Sequence, residues 1–469
     1  MFSNLIMKMM EVSVLMKLRI ETAIFLLALV VRLVYLAGCG SENRLCDEIW
    51  DDRIYYDIGT NIAAGNGLSL SFPIFAANAG PTALEPPVYP LMIATSIRVF
   101  GDTYIPIRVL QAVLSALTCV LIYKLGHRLF VPKVGLVAGI IMCFYLPLIL
   151  YTRPILSETT FIFALVLAVW ITCRLTDQPS IINSIIAGLA WAFCYLTRTE
   201  AMVLAAAVGV YTLGILWTRY RVRLISHLPA CLPGALVFLL LIGLWVARNY
   251  SVFRAFIPAS TTFGMTLWDL NYARYHRELD PNRYPEGVLP ELIDVPNFES
   301  LTEVERDNAL TELGMQFIRE RPLTFFRYAA SRLLVAYPLI PRSGEFQPPG
   351  ADRLNADPTS LVEFPVYNTP AERLRVWMFR ILVICAVLGA IWALRRRDYA
   401  VMLLILLIAA NVLRSALIMG HERGRIAIDP FIIQLSAYFL VSLFYAMRHS
   451  TMMEVNKLPA DSDSTSTGS

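Results

Sequence analysis

Three carboxylates lie close together in the segment WDDRIYYDIGTNIAAGNG, residues 50–67. Asp51 and Asp52 are adjacent, and Asp57 follows a little later. A positioned carboxylate can take a proton from a hydroxyl group as that hydroxyl attacks a substrate, which is general-base catalysis. The same residues also suit a solvated loop with ordinary surface carboxylates, because Asp is mostly exposed in proteins. The rest of the chain favours the first interpretation.

The residues after these acids predict a short helix and then a rigid turn. Tyr55, Ile58 and Ile62 recur at helical spacing, which predicts an amphipathic helix from Tyr55 onward. The sequence GNG at residues 65–67 ends it, because glycine readily adopts the left-handed conformation of a helix C-cap. The sequence EPPVYP at residues 85–90 forms a turn before a second apolar helix. The acids therefore lie at the mouth of a helix, close to the bilayer surface.

Further charged residues lie near the predicted outer ends of the hydrophobic runs. Ionisable groups at membrane depth are costly, so they usually mark function or pair with one another. Arginines at headgroup level can hold a phosphate through forked, charge-assisted hydrogen bonds. For each residue alone the alternative is an interfacial ion pair, such as Arg198 with Glu200. The residues concerned are Arg153, Glu158, Arg198, Glu200, Arg248, His421, Glu422, Arg423, Arg425 and Asp429.

The composition indicates a polytopic membrane protein. Of the 469 residues, 57% are hydrophobic and 16% are charged, and the mean hydropathy is +0.58, whereas a soluble domain carries about a quarter charged residues. The net charge of +4 does not indicate a nucleic-acid partner. The chain has no P-loop and no Rossmann glycine fingerprint, so a cytoplasmic nucleotide donor is not indicated. No small-residue cleavage site follows the first hydrophobic run, so we expect that run to stay as an anchor.

Ten runs have the length and composition of transmembrane helices, which need about 20 mostly apolar residues each. Lys and Arg cluster in alternate connections, and the positive-inside rule makes those connections cytoplasmic. Both termini are then cytoplasmic, and we expect a multi-pass protein of the inner (plasma) membrane with its active site on the extracytoplasmic face. The runs are residues 19–38, 105–125, 134–152, 156–175, 180–197, 200–217, 226–247, 375–394, 399–418 and 430–447.

This topology leaves two long segments on the extracytoplasmic side, residues 39–104 and 248–372. Within the second segment, residues 303–320 predict an amphipathic helix, and the apolar run that follows predicts an interfacial helix because Arg327 and Arg332 are embedded in it. The predicted fold class is an all-α integral membrane bundle of about ten transmembrane helices with juxtamembrane helices in the first outer loop.

Four parts follow from this arrangement. Residues 1–247 form an N-terminal transmembrane catalytic core that includes the outer loop 39–104. Residues 248–372 form an extracytoplasmic loop with amphipathic or interfacial helices, and residues 373–448 form the C-terminal transmembrane helices. Residues 449–469 are polar and rich in Ser, Thr and Asp, which predicts a disordered cytoplasmic tail.

Short motifs along most of the chain resemble the GT-C-type membrane glycosyltransferases, in particular the bacterial aminoarabinose–lipid A transferase and the protein O-mannosyltransferases. Each motif alone is weak, and their order and topological placement carry the resemblance. Two departures are visible: Glu85 precedes the Pro-Pro pair where the aminoarabinose branch has a basic residue, and Gly424 replaces a tyrosine. The motifs are Asp51-Asp52-x-x-Tyr55, Ala63-Ala64-Gly65-x-Gly67, Pro86-Pro87-x-Tyr89-Pro90, Arg108-x-x-Gln111, Leu156-Ser157-Glu158-Thr159, Leu196-Thr197-Arg198, Arg248-Asn249-Tyr250-x-Val252-Phe253 and Glu422-Arg423-x-Arg425 before Pro430.

The resemblance implies a GT-C-like bundle that transfers a sugar from a polyprenyl-phosphate carrier with inversion. The presumed base is the first-loop acid, which is Asp51 when the motif is aligned on Tyr55, with Asp52 at the neighbouring acidic position. Glu158 resembles a second acid. Residues implied to bind phosphate are Arg248, Arg423 and Arg425, and the same predicted substrate site includes Tyr55, Glu85, Arg153 and Arg198.

The expected cofactor is none, because a monophosphate leaving group needs no metal in most such relatives. A divalent-ion site built from Asp51, Asp52 and Glu158 stays open as an alternative. Six cysteines fall inside hydrophobic runs and are expected to be buried apolar residues. Cys39 and Cys46 lie in the first loop, where they could pair if that loop faces an oxidising compartment.

The predicted partners are a polyprenyl-phosphate sugar, a lipid, glycan or protein acceptor, and the bilayer. A polymerase or ligase of lipid-linked glycans shares this donor chemistry and differs mainly in its acceptor. The alternative from another class is a lipid or solute transporter or flippase without transferase activity. Inverted repeats and broken helices would indicate a transporter, and the sequence shows no internal repeat.

Overall fold

The computed structural model describes residues 2–38, 50–74, 77–220, 224–280, 295–339 and 369–455. Helices dominate these residues, and the predicted all-α membrane fold is confirmed. The predictions for Cys39 and Cys46 and for most of the C-terminal tail concern residues outside the described ranges.

The N-terminal half begins with a long helix and a small first-loop subdomain. A two-stranded antiparallel ribbon pairs Ser69 with Pro81 and Leu70 with Gly80. The elements in order are the helices Phe2–Gly38 and Trp50–Ala64, the strands Ser69–Leu70 and Gly80–Pro81, and the helices Val88–Phe100, Ile105–Leu129, Pro132–Phe144, Leu146–Leu150, Glu158–Asp177, Ile181–Thr197, Ala201–Tyr220 and Leu224–Phe253.

The C-terminal half starts with short helical pieces and ends with long ones. The elements in order are Phe263–Leu267, a π-helix at Trp268–Ala273, Arg274–Leu279, a 3-10 turn at Phe298–Ser300, Glu303–Glu320, Pro322–Ala336, Pro370–Arg395, Val401–Leu417, Glu422–Arg425, a second 3-10 turn at Ile426–Ile428, and Asp429–Val455.

A helix lies at each of the ten predicted transmembrane runs. Six of the described helices are long and apolar enough to cross a membrane: Leu15–Gly38, Ile105–Leu129, Glu158–Asp177, Cys231–Phe253, Pro370–Arg395 and Glu422–Arg448. The other predicted spans coincide with shorter apolar helices. The count of ten spans therefore stays a prediction.

The helices cross closely where small residues meet. A Cβ atom added to Gly188 would lie 2.1 Å from the carbonyl oxygen of Gly234, and one added to Gly135 would lie 2.3 Å from the carbonyl oxygen of Tyr123. Such small-residue contacts let helix backbones approach within a bilayer, where packing rather than the hydrophobic effect holds helices together. The main core forms around the Ile105–Leu129, Glu158–Asp177 and Asp429–Val455 helices.

The first-loop helix differs from its prediction only at its start. Helix Trp50–Ala64, called the juxtamembrane helix below, begins before Tyr55, so Asp51 and Asp52 lie in its first turn. Its end matches the prediction, since Gly65 and Gly67 have φ values of +92° and +72°. Because negative charge is stabilised by the helix dipole at an N-terminus, this is a favourable place for the two acids.

The outer-loop helix Glu303–Glu320 is confirmed with its predicted bounds. Thr302 and Glu305 form a capping box at its N-terminus, which satisfies backbone N–H groups that a helix start leaves unpaired. Leu310 and Phe317 are buried on its inner face. The next helix, Pro322–Ala336, buries Arg332, whose Nε donates to the carbonyl of Ala416 at 2.8 Å.

Candidate active site

A cavity of about 580 Å³, called the site cavity below, lies where the first loop, the helix ends and part of the long outer loop meet. The sequence-predicted residues that line it are Asp51, Tyr55, Glu85, Arg198 and Arg423. Residues from 259 to 266 close another side, and sequence reasoning had given that segment no role. Further lining residues that were absent from the predicted site are Glu200, Arg414 and His421.

Alternating acids and arginines, here called the ion-pair chain, run along this cavity. Arg423 Nη1 is 2.6 Å from Asp51 Oδ2, and Arg423 Nη2 is 2.8 Å from Glu158 Oε1. The same Glu158 oxygen is 3.0 Å from Arg198 Nη1. The ion-pair chain therefore joins the juxtamembrane helix, the start of the Glu158–Asp177 helix and two tight turns.

The ion-pair chain continues beyond Arg198. Arg198 Nε is 3.1 Å from Glu200 Oε1, and Glu200 Oε2 is 3.0 Å from Arg414 Nη1. Burial would raise the pKa of Glu200, but Arg198 and Arg414 outweigh burial and lower that pKa. The interfacial pair of Arg198 with Glu200, weighed as an alternative from the sequence, therefore exists as one link of a larger network.

Glu158 is the most enclosed acid of the ion-pair chain, at 2% exposure. Its Oε2 is buried and accepts no hydrogen bond from the residues that the structure describes, although Oε1 is held by two arginines. A buried acceptor without a partner is costly, so such an atom calls for an explanation. A bound group that donates a hydrogen bond would satisfy it.

The motif residues Arg108 and Gln111 hold the segment that carries Glu158. Gln111 Nε2 donates to the carbonyl oxygens of Thr152 and Pro154 at 3.0 and 2.9 Å, and Arg108 Nε donates to the carbonyl of Arg153 at 2.9 Å. Gln111 Oε1 accepts from the hydroxyl of Tyr89 at 2.6 Å. These bonds tie the first loop and the Ile105–Leu129 helix to the chain just before Glu158.

A hydroxyl relay connects the ion-pair chain to Glu85. Arg198 Nη1 donates to Ser157 Oγ at 3.1 Å, Ser157 Oγ lies 2.8 Å from the Tyr55 hydroxyl, and that hydroxyl donates to Glu85 Oε2 at 2.7 Å. Burial, followed by the nearby Asp51 carboxylate, raises the pKa of Glu85 to about 7. Ser157 belongs to the LSET motif, which was the available signal for its role.

Besides Glu158, four predicted residues lie outside the cavity lining. Asp52 is fully buried on the juxtamembrane helix. Arg425 is also fully buried, with its guanidinium carbon 3.6 Å from the Phe379 ring centre and its Nη2 3.3 Å from Glu422. Arg153 contributes its carbonyl to Arg108.

Arg248, the fourth of these, contacts the first loop. Its Nη1 donates to the carbonyl of Thr82 at 2.7 Å, and its Nη2 donates to the carbonyl of Leu68 at 2.8 Å. A phosphate-binding role for Arg248 stays a prediction. These two hydrogen bonds hold the backbone of the first loop in place.

No group of three or more His, Cys, Asp or Glu side chains within the described ranges is arranged to hold a metal ion. The alternative site of Asp51, Asp52 and Glu158 does not assemble in this arrangement, since Glu158 and Asp51 are engaged by arginines and Asp52 lies away from the cavity lining.

The fold is similar to that of GT-C-type membrane glycosyltransferases, and the predicted resemblance is confirmed. Residues 84–246 match the family described as dolichyl-phosphate-mannose-protein mannosyltransferase. The fold is similar to that of the apo oligosaccharyltransferase from Archaeoglobus fulgidus, with a TM-score of 0.53 and 14% identity over 93% of this chain and 52% of that one. This chain therefore spans about half the length of that enzyme.

A second similar structure is ArnT from Cupriavidus metallidurans bound to undecaprenyl phosphate. The TM-score is 0.38 and the identity is 14%, over 96% of this chain and 81% of that chain. Among curated proteins, none matches this sequence significantly.

Proposed function

We propose that this protein is an inverting glycosyltransferase that moves a sugar from a polyprenyl-phosphate donor to a lipid, glycan or protein acceptor at the extracytoplasmic face. The observation that carries the proposal is the site cavity, where a first-loop acid and two arginines meet. The family match of residues 84–246 supports the same class of donor. Arginines hold phosphate groups through forked hydrogen bonds.

In the proposed reaction, Asp51 takes the proton of an acceptor hydroxyl while its oxygen attacks the anomeric carbon. The bond from that carbon to the phosphate oxygen breaks, and its electron pair leaves with polyprenyl phosphate. Arg423 and Arg198 neutralise the charge that develops on the leaving group. Asp51 is favoured over Asp52 because Asp51 lines the cavity and Asp52 does not.

The ion pair between Asp51 and Arg423 implies that the donor binds before Asp51 acts as the base. With its 2.6 Å contact to Arg423, the Asp51 carboxylate is engaged before substrate arrives. A donor phosphate competes with Asp51 for the same guanidinium, since Arg presents a limited set of N–H groups. Donor binding therefore releases the base for the acceptor.

An apolar groove of about 840 Å³ offers a path for the polyprenyl chain. It lies between the Val88–Phe100 and Ile105–Leu129 helices, and Phe193 contributes from a third helix. The groove and the site cavity are lined by residues that are close together in the sequence, since Val88 lines the groove and Pro86 lines the site cavity.

The experiment is sugar transfer in membranes that contain the wild-type, Asp51→Asn or Asp52→Asn protein. A panel of polyprenyl-phosphate sugars is offered, and released polyprenyl phosphate is measured. We expect Asp51→Asn to lose about 10²–10⁴-fold in rate at normal expression, which is the usual contribution of a general base. Asp57→Asn is the matched control, because Asp57 lies on the same helix and accepts a hydrogen bond from Ser71 N at 2.8 Å, away from the cavity.

Two outcomes would overturn parts of this proposal. If Asp52→Asn alone is inactive, the base is Asp52. If the wild-type protein releases no polyprenyl phosphate from any donor while lipid or solute crosses the bilayer, the protein is a transporter.

A further inference from the structure

Glu85 differs from every other acid that lines the site cavity. Asp51 and Glu200 are paired with arginines, and so is Glu158 behind them. Glu85 forms no ion pair in the described part of the chain, and its one hydrogen bond there is from Tyr55 to Oε2. Its other carboxyl oxygen is left for a group inside the cavity.

The direction of the hydroxyl relay makes Glu85 its last acceptor. A guanidinium can only donate, so Ser157 Oγ must accept from Arg198. Ser157 then has its proton available for the Tyr55 oxygen, and Tyr55 donates its own proton to Glu85. A ligand next to Glu85 therefore meets an acceptor, and hydroxyl groups are the fitting donors.

The backbone before Glu85 is held from three sides. Arg248 binds the carbonyl of Thr82 at 2.7 Å, and Glu303 Oε1 accepts from Ala83 N at 2.9 Å. The backbone N–H of Thr261 donates to the carbonyl of Ala83 at 3.2 Å. The two prolines after Glu85 restrict the chain further. These contacts, called the loop clamp below, preorganise Glu85, which lowers the entropy cost of binding.

The charges around Glu85 discriminate between ligands. The three arginines that line the cavity already form ion pairs with Asp51, Glu158 and Glu200. A second anion on the sugar would therefore meet Glu85 and the nearby Asp51 without a spare cation. Like charges placed together in a binding site disfavour binding.

We propose that Glu85 and Tyr55 form the subsite that binds hydroxyl groups of the donor sugar, and that Glu85 excludes sugars that carry a carboxylate. This inference rests on the proposed transferase function and names its substrate class. Glu85 is a specificity-determining residue in this view, separate from the base and the phosphate-binding arginines.

The test compares two donors on the same polyprenyl-phosphate carrier, one with a neutral hexose and one with a hexuronic acid. Full-length wild-type, Glu85→Gln and Asp57→Asn proteins are purified into liposomes, and kcat/KM is measured for each donor from released polyprenyl phosphate. We expect the wild type to favour the neutral donor by about 100-fold. Glu85→Gln should lower that preference at least about 10-fold by accepting the hexuronic acid, and Asp57→Asn should keep it.

A second variant covers the case in which Glu85→Gln does not fold. Tyr55→Phe removes the hydroxyl that orients Glu85, so we expect about a 10-fold higher KM for the neutral donor with little change in kcat. An unchanged donor preference in folded Glu85→Gln, or an unchanged KM in Tyr55→Phe, overturns the inference. Turnover of neither donor by the wild type would instead contradict the proposed function.

Discussion

Arg423 is the residue through which the site is assembled. It binds Asp51, which is 372 positions away in the chain, and Glu158, which is 265 positions away. A forked guanidinium suits this task because it can hold two carboxylates at once in fixed directions. A lysine at the same position would offer a point charge and lose that geometry. In the proposed reaction, this single residue therefore links binding of the donor phosphate to control of the base.

The pKa of Glu85 gives a prediction at this scale. Since burial and Asp51 raise it to about 7, Glu85 is mostly neutral below that pH and becomes an anion above it. We expect the wild-type preference for a neutral over a carboxylate-bearing donor to rise by up to about 10-fold from pH 6 to pH 8. The measurement is the ratio of the two kcat/KM values across this range.

The groups that face Glu85 do not account for such a change. Burial raises the pKa of Tyr55 well above its usual value, Arg198 and Arg423 remain cations, and burial and Arg423 lower the pKa of His421 to about 4. Glu85→Gln should therefore give a flat ratio. A ratio that still rises with pH in that variant would contradict the assignment.

At the scale of elements, the outer loop and the first loop hold each other. Glu303 starts the outer-loop helix and accepts from Ala83 N, while Asn78 Nδ2 donates to the carbonyl of Leu301 at 3.1 Å. Arg248 lies near the end of the Leu224–Phe253 helix and donates to the carbonyl of Thr82 in the same loop. These hydrogen bonds join the helix ends and the loops around the cavity. The segments that carry the site residues are therefore held in fixed positions relative to one another.

A double-mutant cycle tests the loop clamp. Arg248→Lys replaces the forked guanidinium, whose Nη1 and Nη2 each reach one carbonyl, with a single ammonium group that lacks this fixed geometry, and Glu303→Ala removes the acceptor of Ala83 N. Each variant should raise the donor KM about 10-fold by misplacing Glu85, and the double variant should show a coupling of about 0.5–3 kcal/mol. The measurements are donor KM and thermal stability.

Glu305→Ala is the control for this cycle. It breaks the capping box of the same helix without a contact to residues 82–84, so stability should fall while KM stays unchanged. If Arg248→Lys raises KM and Glu303→Ala does not, Arg248 acts on the phosphate as the sequence resemblance implies.

At the scale of the whole molecule, the charged groups separate toward two ends of the bundle. Arg108 and Glu158 lie near the starts of their helices and belong to the site end. The opposite ends of the same helices carry Arg128 and Asp177, which pair with one another. A helix of 20 residues spans about 30 Å, so the two groups are separated by about the thickness of a bilayer core.

This separation predicts opposite accessibility of the two ends. In a cysteine-free background that is shown to be active, Asn66→Cys should react with a membrane-impermeant maleimide in intact cells. Gln178→Cys should react only after permeabilisation. Both side chains are exposed, so neither result depends on burial. Labelling of Gln178→Cys in intact cells would contradict the predicted orientation and the extracytoplasmic site.

Local patterns in the sequence determined the helices and several of the site residues. Hydropathy located a helix at each predicted span, because a span must hide its backbone and apolar side chains within one continuous segment. Apolar spacing gave the bounds of Glu303–Glu320, and paired glycines gave the end of the juxtamembrane helix. These signals act between residues close in the chain.

Only the tertiary structure decided how those residues combine. The pairing of Asp51 with Arg423, the absence of an ion pair for Glu85 among the described residues and the burial of Arg425 depend on contacts between distant segments. A sequence motif states which charges are present and approximately where each lies along its helix. Which acid an arginine neutralises, and which acid is left for a substrate, depends on distances and burial that only packing sets.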